Sequence, residues 1–168
     1  MAKMMSPKTT LWWVPLSVVP TFNPEAPSAA ALTQARNISC AVVSGYTLNP
    51  TDSDTDDSTS ICDGANVQTP TFYNYEGNIT FFREGDSANT TSDYAKAFAF
   101  FKNKGAEGYL VRRLGHLSSV PAAAGQVVSS FLFINDNPQD VQEDSGPIQF
   151  TTPFLPQGKM ALYKTLVA

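Results

Sequence analysis

The chain has 168 residues, enough for one domain with a core of its own, and 15% of them are charged. A net charge of −4 excludes a nucleic-acid binder held by phosphate contacts, and no apolar run is long enough to span a membrane. Eleven Phe, six Tyr and two Trp beside so few charges give the profile of an interface-rich subunit rather than a free monomeric enzyme.

Residues 1–30 hold Pro7, Pro15, Pro20, Pro24 and Pro27. Proline lacks a backbone donor and fixes φ, so this stretch reads as an extended Pro-rich arm, with Thr10–Val14 as a short edge strand. Free arms of this kind fray, so Trp12 and Trp13 are expected on a neighbouring subunit. Lys3, Lys8 and Leu11-Trp-Trp-Val14 invite comparison with a signal peptide, but Pro15 and Pro20 break the apolar stretch and no small-residue cleavage site follows. Without export the sequons at Asn37, Asn78 and Asn89 carry no meaning, and Cys40 and Cys62 stay reduced.

Residues 31–168 read as a single β-rich domain. The spacing predicts a strand over 35–46, with Cys40 as a small buried hydrophobe, broken at Asn49-Pro50. A polar, acidic loop follows over about 49–66. A second strand region spans 69–84, strongest at Asn78-Ile-Thr-Phe-Phe-Arg83. One helix is predicted over about 92–104: Thr91 or Ser92 caps it, Asp93 suits its positive end and Gly105 its stop. Tyr94, Ala97, Phe98 and Phe101 make its apolar stripe. Gly108-Tyr-Leu-Val-Arg-Arg-Leu-Gly115 is the next strand. Then comes Gly125-Gln-Val-Val-Ser-Ser-Phe-Leu-Phe-Ile134, apolar on both faces. Val127, Phe131 and Phe133 point one way, and Val128, Leu132 and Ile134 the other. Both faces need cover, either from other subunits or from the chain's own helix and second sheet. Asn135-Asp-Asn-Pro138 ends that strand. Residues 139–154 are polar and then β-like, limited by Pro153 and Pro156, and a last two-faced strand fills 160–167. Without βαβ alternation, the pattern is mainly β: an antiparallel sandwich or barrel with one packed helix.

Candidate chemistry is sparse. His116 is the single histidine, with no serine or cysteine constellation around it. Asp52, Asp54, Asp56 and Asp63 take the first, third, fifth and twelfth places of a calcium loop. Asp57 stands where that loop needs glycine, no helix precedes it, and the reading is a solvated acidic loop with no metal and no cofactor. Arg112 and Arg113 are adjacent and so point to opposite faces of their strand. One of them reads as a surface ion pair or as a cation that crosses a subunit boundary to meet an acidic loop.

The order of these pieces resembles a known family. Ile61-Cys-Asp63, Gly77-Asn-Ile-Thr-Phe-Phe-Arg83, Asp93-Tyr-Ala-Lys-Ala-Phe-Ala-Phe-Phe-Lys-Asn-Lys-Gly105, Gly108-Tyr-Leu-Val-Arg-Arg113, Gly125-Gln-Val-Val128 and Pro138-Gln-Asp-Val-Gln142 succeed one another as in the major tail proteins of long-tailed bacteriophages, especially those of actinobacteria. The resemblance covers about residues 35–168, and the order carries it rather than any single motif. It implies a tail tube subunit: a homo-oligomer of hexameric rings that stack into a tube around a continuous inner β-barrel. Its partners would be copies of itself and other tail proteins, with DNA as transient cargo in the lumen and no catalysis, cofactor or membrane. On that reading Trp12, Trp13, Asp52, Asp54, Asp56, Asp57, Asp63, Arg83, Arg112 and Arg113 are the candidates for subunit contacts or the lumen. The acidic loop would order on assembly and meet Arg83, Arg112 or Arg113 of another copy. The rival readings are a secreted or surface β-sandwich that binds calcium or carbohydrate, another β-rich tail component such as a terminator, and, more distantly, a small hydrolase.

Overall fold

The computed structural model describes residues 8–141 and 145–168. In chain order the elements are β1 Thr9–Pro15, helix α1 Ala29–Gln34, β2 Arg36–Asn37, a 3-10 turn Ser39–Ala41, β3 Thr47–Thr51, β4 Thr55–Asp57, β5 Gln68–Pro70, β6 Asn74–Phe82, helix α2 Asp93–Phe101, β7 Glu107–Leu114, β8 Val127–Asn135, β9 Gln139–Val141 and β10 Gln149–Thr165. One antiparallel sheet runs β2-β1-β7-β8-β10-β6-β3, with β9 also on β10, and β4-β5 forms a separate two-stranded hairpin.

β10 makes the sheet a sandwich. Its first half pairs with β6 and β9, and its second half with β8. Register slips between Pro156 and Met160 and between Ala161 and Lys164 bend it. Gly158 and Tyr163 hold positive φ in those irregular stretches, as bulged strands require. The bend folds the β3-β6-β10-β9 layer over the β2-β1-β7-β8-β10 layer. Across the gap the Tyr75 hydroxyl donates to the Leu132 carbonyl at 2.7 Å and accepts from the Gln157 and Lys159 amides. The Phe133 ring presses on Gly77, where a Cβ would sit 2.8 Å from it.

Most of the eleven phenylalanines find their purpose here. Phe81, Phe131, Phe133, Phe150 and Phe154 fill the space between the layers with Trp13 and Ile79. Helix α2 closes one end. Its Ser92 hydroxyl accepts from the Ala95 amide as the cap, and Phe101 meets Trp13 edge-on and stacks on Phe81, both at 5.1 Å between centroids. Each fully buried Phe contributes roughly 2 kcal/mol. The opposite face of β1-β7-β8 packs Trp12, Tyr109, Val111, Val128 and Leu132 under Val19, Phe22 and Leu32 from the 16–35 segment. The two-faced strand is therefore covered on both sides by its own chain, without help from a neighbour.

Three sequence expectations change. Residues 9–15 are no loose arm: β1 lies between β2 and β7, paired from Thr9↔Leu114 to Pro15↔Gly108. Trp13 is fully buried and Trp12 is 5% exposed, so both belong to this chain's core and not to a neighbour. Pro15 is tolerated because Leu16 donates to Glu107, which turns the missing N–H of Pro15 away from β7 to a side where β2 has already ended. Residues 1–7 of the expected arm lie outside the described residues. The strand expected over 35–46 is instead β2 and the 3-10 turn, preceded by the unpredicted α1. Ser28 caps α1 by accepting from the Ala31 amide, and Cys40 is exposed rather than buried. Pro153 and Pro156 do not end a strand. They lie inside β10, around the point where its flanking partner changes from β9 to β8.

Gly108 packs against β1 with no room for a side chain. An added Cβ would lie 2.6 Å from the Val14 carbonyl oxygen and 2.8 Å from the Trp13 ring. Neither backbone nor buried indole yields cheaply, so Gly108→Ala is expected to cost about 2 kcal/mol in a urea titration. A loss under ~0.5 kcal/mol would show that β1 can shift.

Candidate functional site

The acidic loop is a hairpin that stands off the sandwich. β3 leads into it, and β4 and β5 are exposed at every residue. Local polar bonds give it shape. The Asp54 amide donates to the Phe72 carbonyl at 3.0 Å, and the Asp54 carbonyl accepts from the Thr71 amide at 2.7 Å. The Asp54 carboxylate accepts from the Asn74 side chain at 3.1 Å. Asp57 caps a turn, accepting from the amide and hydroxyl of Thr59, and these bonds hold its carboxyl below the ordinary carboxylate range. The carboxylate of Asp63 accepts from the Ser60 amide at 2.7 Å. The side chains of Asp52 and Asp56 are exposed.

This geometry spreads the acids along a ribbon. Among the described residues no group of three or more His, Cys, Asp or Glu side chains is placed to hold a metal ion. Residues 52–72 carry five aspartates and no lysine or arginine. They also carry apolar side chains that touch no core: Ile61 is fully exposed, Phe72 is 75% exposed, and Val67 and adjoining Tyr73 are exposed too. A surface that combines concentrated negative charge with bare apolar groups is chemically suited to contact with another protein.

The three candidate arginines separate sharply. Arg83 pairs with Asp140 at 3.0 Å and lies 3.7 Å over the Phe98 ring. Arg112 faces the interior of the sandwich, donating to the Leu48 carbonyl at 2.6 Å and to Asn49 at 3.0 Å, and so ties β7 to β3. Arg113, on the other face, is completely buried. It donates to the carbonyls of Leu117, Val120 and Pro121, to the Thr10 hydroxyl and to the Gln126 amide oxygen, and its guanidinium stacks on Trp12 at 4.8 Å. Among the described residues neither Arg112 nor Arg113 bonds a carboxylate; both organise backbone.

Two organisers escaped the sequence reading. Asn135, which in sequence belongs to a strand stop, is 1% exposed and bridges the end of α2 to β8. It accepts from the Ala106 amide at 2.7 Å and donates to the Phe101 and Asn103 carbonyls. Tyr75 is the other, through the cross-layer bonds of its hydroxyl. An asparagine closing a strand as apolar as β8 was the available signal, since a buried amide must find partners. Tyr75 gave none.

Fold and surface together define a β-sandwich of the structural kind, packed by its own aromatics, with an acidic hairpin projecting from it. The family profile for phage tail tube protein matches residues 1–168, and the chain belongs to that family. It is a structural tail protein and thus a component of the virion. Among solved structures, a chain of the cryo-EM structure of the anti-feeding prophage (AFP) baseplate, six-fold symmetrised, shares the fold. Its TM-score is 0.56 at 12% identity, over 98% of this chain and 97% of that one. At that identity the likeness is one of fold alone. No curated protein matches the chain.

Proposed function

We propose that this protein is the repeating subunit of the tube itself. Copies join into rings, six to a ring, and the rings stack into a hollow tail through which DNA leaves the particle. The observation that carries this reading is the hairpin: five carboxylates and several bare apolar side chains projected away from a core that does not need them. Supporting it are the tail tube family, the six-fold assembly in which the AFP baseplate chain of like fold occurs, and strands β3 and β9, each paired on one side only among the described residues. An edge left open in the subunit finds its partner when a head-to-tail contact closes by rotation.

The hairpin's carboxylates meet cations of another copy. Arg113 is buried, and Arg83 and Arg112 are half-buried and already bonded, so none of the three is a ready partner. Lys102 and Lys104, exposed just past the end of α2, are freer. Negative-stain microscopy of the purified protein tests the assembly. Long hollow rods are expected at high protein concentration or on an added tail tip. Isolated closed rings that never stack would assign the chain to a capping component of the tail, and a persistent monomer would end the tube reading.

A further inference from the structure

A cleft opens where the 16–35 segment meets the bend of β10. The turn at residues 22–25 forms one bank, the irregular stretch of β10 around residues 159–160 another, and Tyr109 of β7 lies between them. Tyr73, at the root of the acidic hairpin, adds an exposed aromatic wall. The volume is about 380 Å³, within the range of small-ligand sites, about 300–1,000 Å³.

The lining is held in place by contacts of its own. The Phe22 ring packs on Tyr109 at 5.0 Å between centroids. The Asn23 side-chain oxygen accepts from the Glu25 amide at 3.0 Å, which fixes the turn and leaves the side-chain NH2 as a donor. Glu25 pairs with Lys164. The bulge that presents Lys159 is pinned by Tyr75, whose hydroxyl accepts from the Gln157 and Lys159 amides. A site set in this way loses little freedom when a ligand arrives.

One polar group in the lining lacks a partner. Tyr109 is 3% exposed, yet among the described residues its hydroxyl makes no hydrogen bond. Burial first, then Tyr75 and Glu107 nearby, push its pKa above the ordinary value, so it stays neutral and can both donate and accept. A buried hydroxyl needs a partner, and the cleft is the space that Tyr109 borders. The cavity between α2 and residues 83–90 differs in this respect. There Glu84 accepts from the Asp86 amide and the Asn89 side chain, and Arg83 is paired with Asp140 and stacked on Phe98.

We propose that this cleft binds a short stretch of a saccharide chain, the chemistry that coats cell surfaces. A sugar ring has an apolar C–H face and a rim of hydroxyls. The Tyr73 ring offers an apolar body to the first. The Tyr109 hydroxyl, the Asn23 amide, the Glu25 carboxylate and the Lys159 ammonium answer the second with both donors and acceptors. The lining carries Glu25 as well as Lys159, so it selects neither sign of charge. A purely apolar ligand would displace water from the Tyr109 hydroxyl and return no hydrogen bond. The site itself does not depend on the tube reading; repetition along a tube would turn weak single sites into firm adhesion.

The test is saturation-transfer NMR on the purified full-length protein with cellotetraose, chitotetraose and maltotetraose. Transfer to sugar C–H protons is expected for at least one of them, with a Kd of roughly 1 mM. Tyr109→Phe removes only an oxygen without a partner among the described residues. It should keep the parent's melting temperature and weaken binding about fivefold. Tyr73→Ala removes an exposed ring and should weaken binding at least about tenfold, again without a change in melting temperature. No transfer to any of the three sugars at about 10 mM overturns the proposal. Affinity that either replacement leaves at the parent's strength overturns it too, because the sugar then sits elsewhere. Binding that dispersed subunits show and assembled rods lose overturns the surface role, since another copy then covers the cleft. The measurement on dispersed subunits stands whether or not rods form.

Discussion

Replacing Arg113 with methionine is expected to lower stability by about 4 kcal/mol, although among the described residues it forms no ion pair to lose. The guanidinium is fully buried and makes five hydrogen bonds, all to neutral oxygens. Burial pushes its pKa down, and those five bonds favour the charged form. They also gather the 117–126 loop against β1 and β7. Methionine fills much of the volume, leaves the Val120 carbonyl and the Thr10 hydroxyl without a donor, and takes one of two donors from the Leu117 and Pro121 carbonyls and the Gln126 amide oxygen. At this chain length each kcal/mol is worth about 2–4 °C, so the melting temperature should fall by roughly 10 °C. Arg113→Lys should recover little, because one ammonium cannot span acceptors that a planar fork reaches on two sides. Arg112→Gln supplies the contrast. Arg112 is half-buried and donates two bonds, so this replacement should cost about 1 kcal/mol. Equal losses at the two positions would falsify the assignment of Arg113 as the organiser of that loop.

That contrast shows what the sequence discloses. Adjacent arginines on a strand must face opposite ways, and they do, one into the sandwich and one into the second packing layer. Which one becomes buried depends on where the 117–126 loop returns, and that is a long-range fact without a local signal. The same division runs through the fold. β8 was legible because six apolar side chains within eight residues, three on each face, leave no other choice, and α2 because Ser92, Asp93 and its aromatic stripe agree. β1 was misread because Pro15 and Pro20 suggest an arm, whereas Pro15 needs only an unpaired flank, which the two-residue β2 provides. Cys40 was misplaced because an apolar run that looks like a strand is cut by Ser39, whose hydroxyl bonds the Leu11 amide at 2.8 Å and fixes a turn there. The acidic loop was legible as solvated and charged. Its form as a hairpin was not, since the cross-strand bonds of Asp54 join residues far apart in a polar stretch without alternation.

Cutting the hairpin out should leave the subunit folded and abolish its assembly. With residues 53–72 replaced by a short Gly-Ser turn, stability is expected to change by less than about 0.5 kcal/mol, since no side chain of that stretch is buried. Two strands alone are marginal in water, so the hairpin adds little to the sandwich that carries it. Its value lies in what it exposes. Ile61 and Phe72 stand almost wholly in solvent, and burying each against another copy contributes roughly 2 kcal/mol to association. The aspartates add direction more than strength, because exposed pairs are worth at most about 1 kcal/mol each and are screened by salt. The Asn replacements of Asp52, Asp54, Asp56 and Asp57 together should therefore slow rod growth and remove most of its salt dependence without stopping it, while Ile61→Ser with Phe72→Ser should stop it. Sedimentation separates the outcomes: folded, dispersed subunits for the truncated and serine variants, and short rods for the asparagine variant. Full-length rods from the truncated chain would mean that the tube is held by the sandwich edges alone.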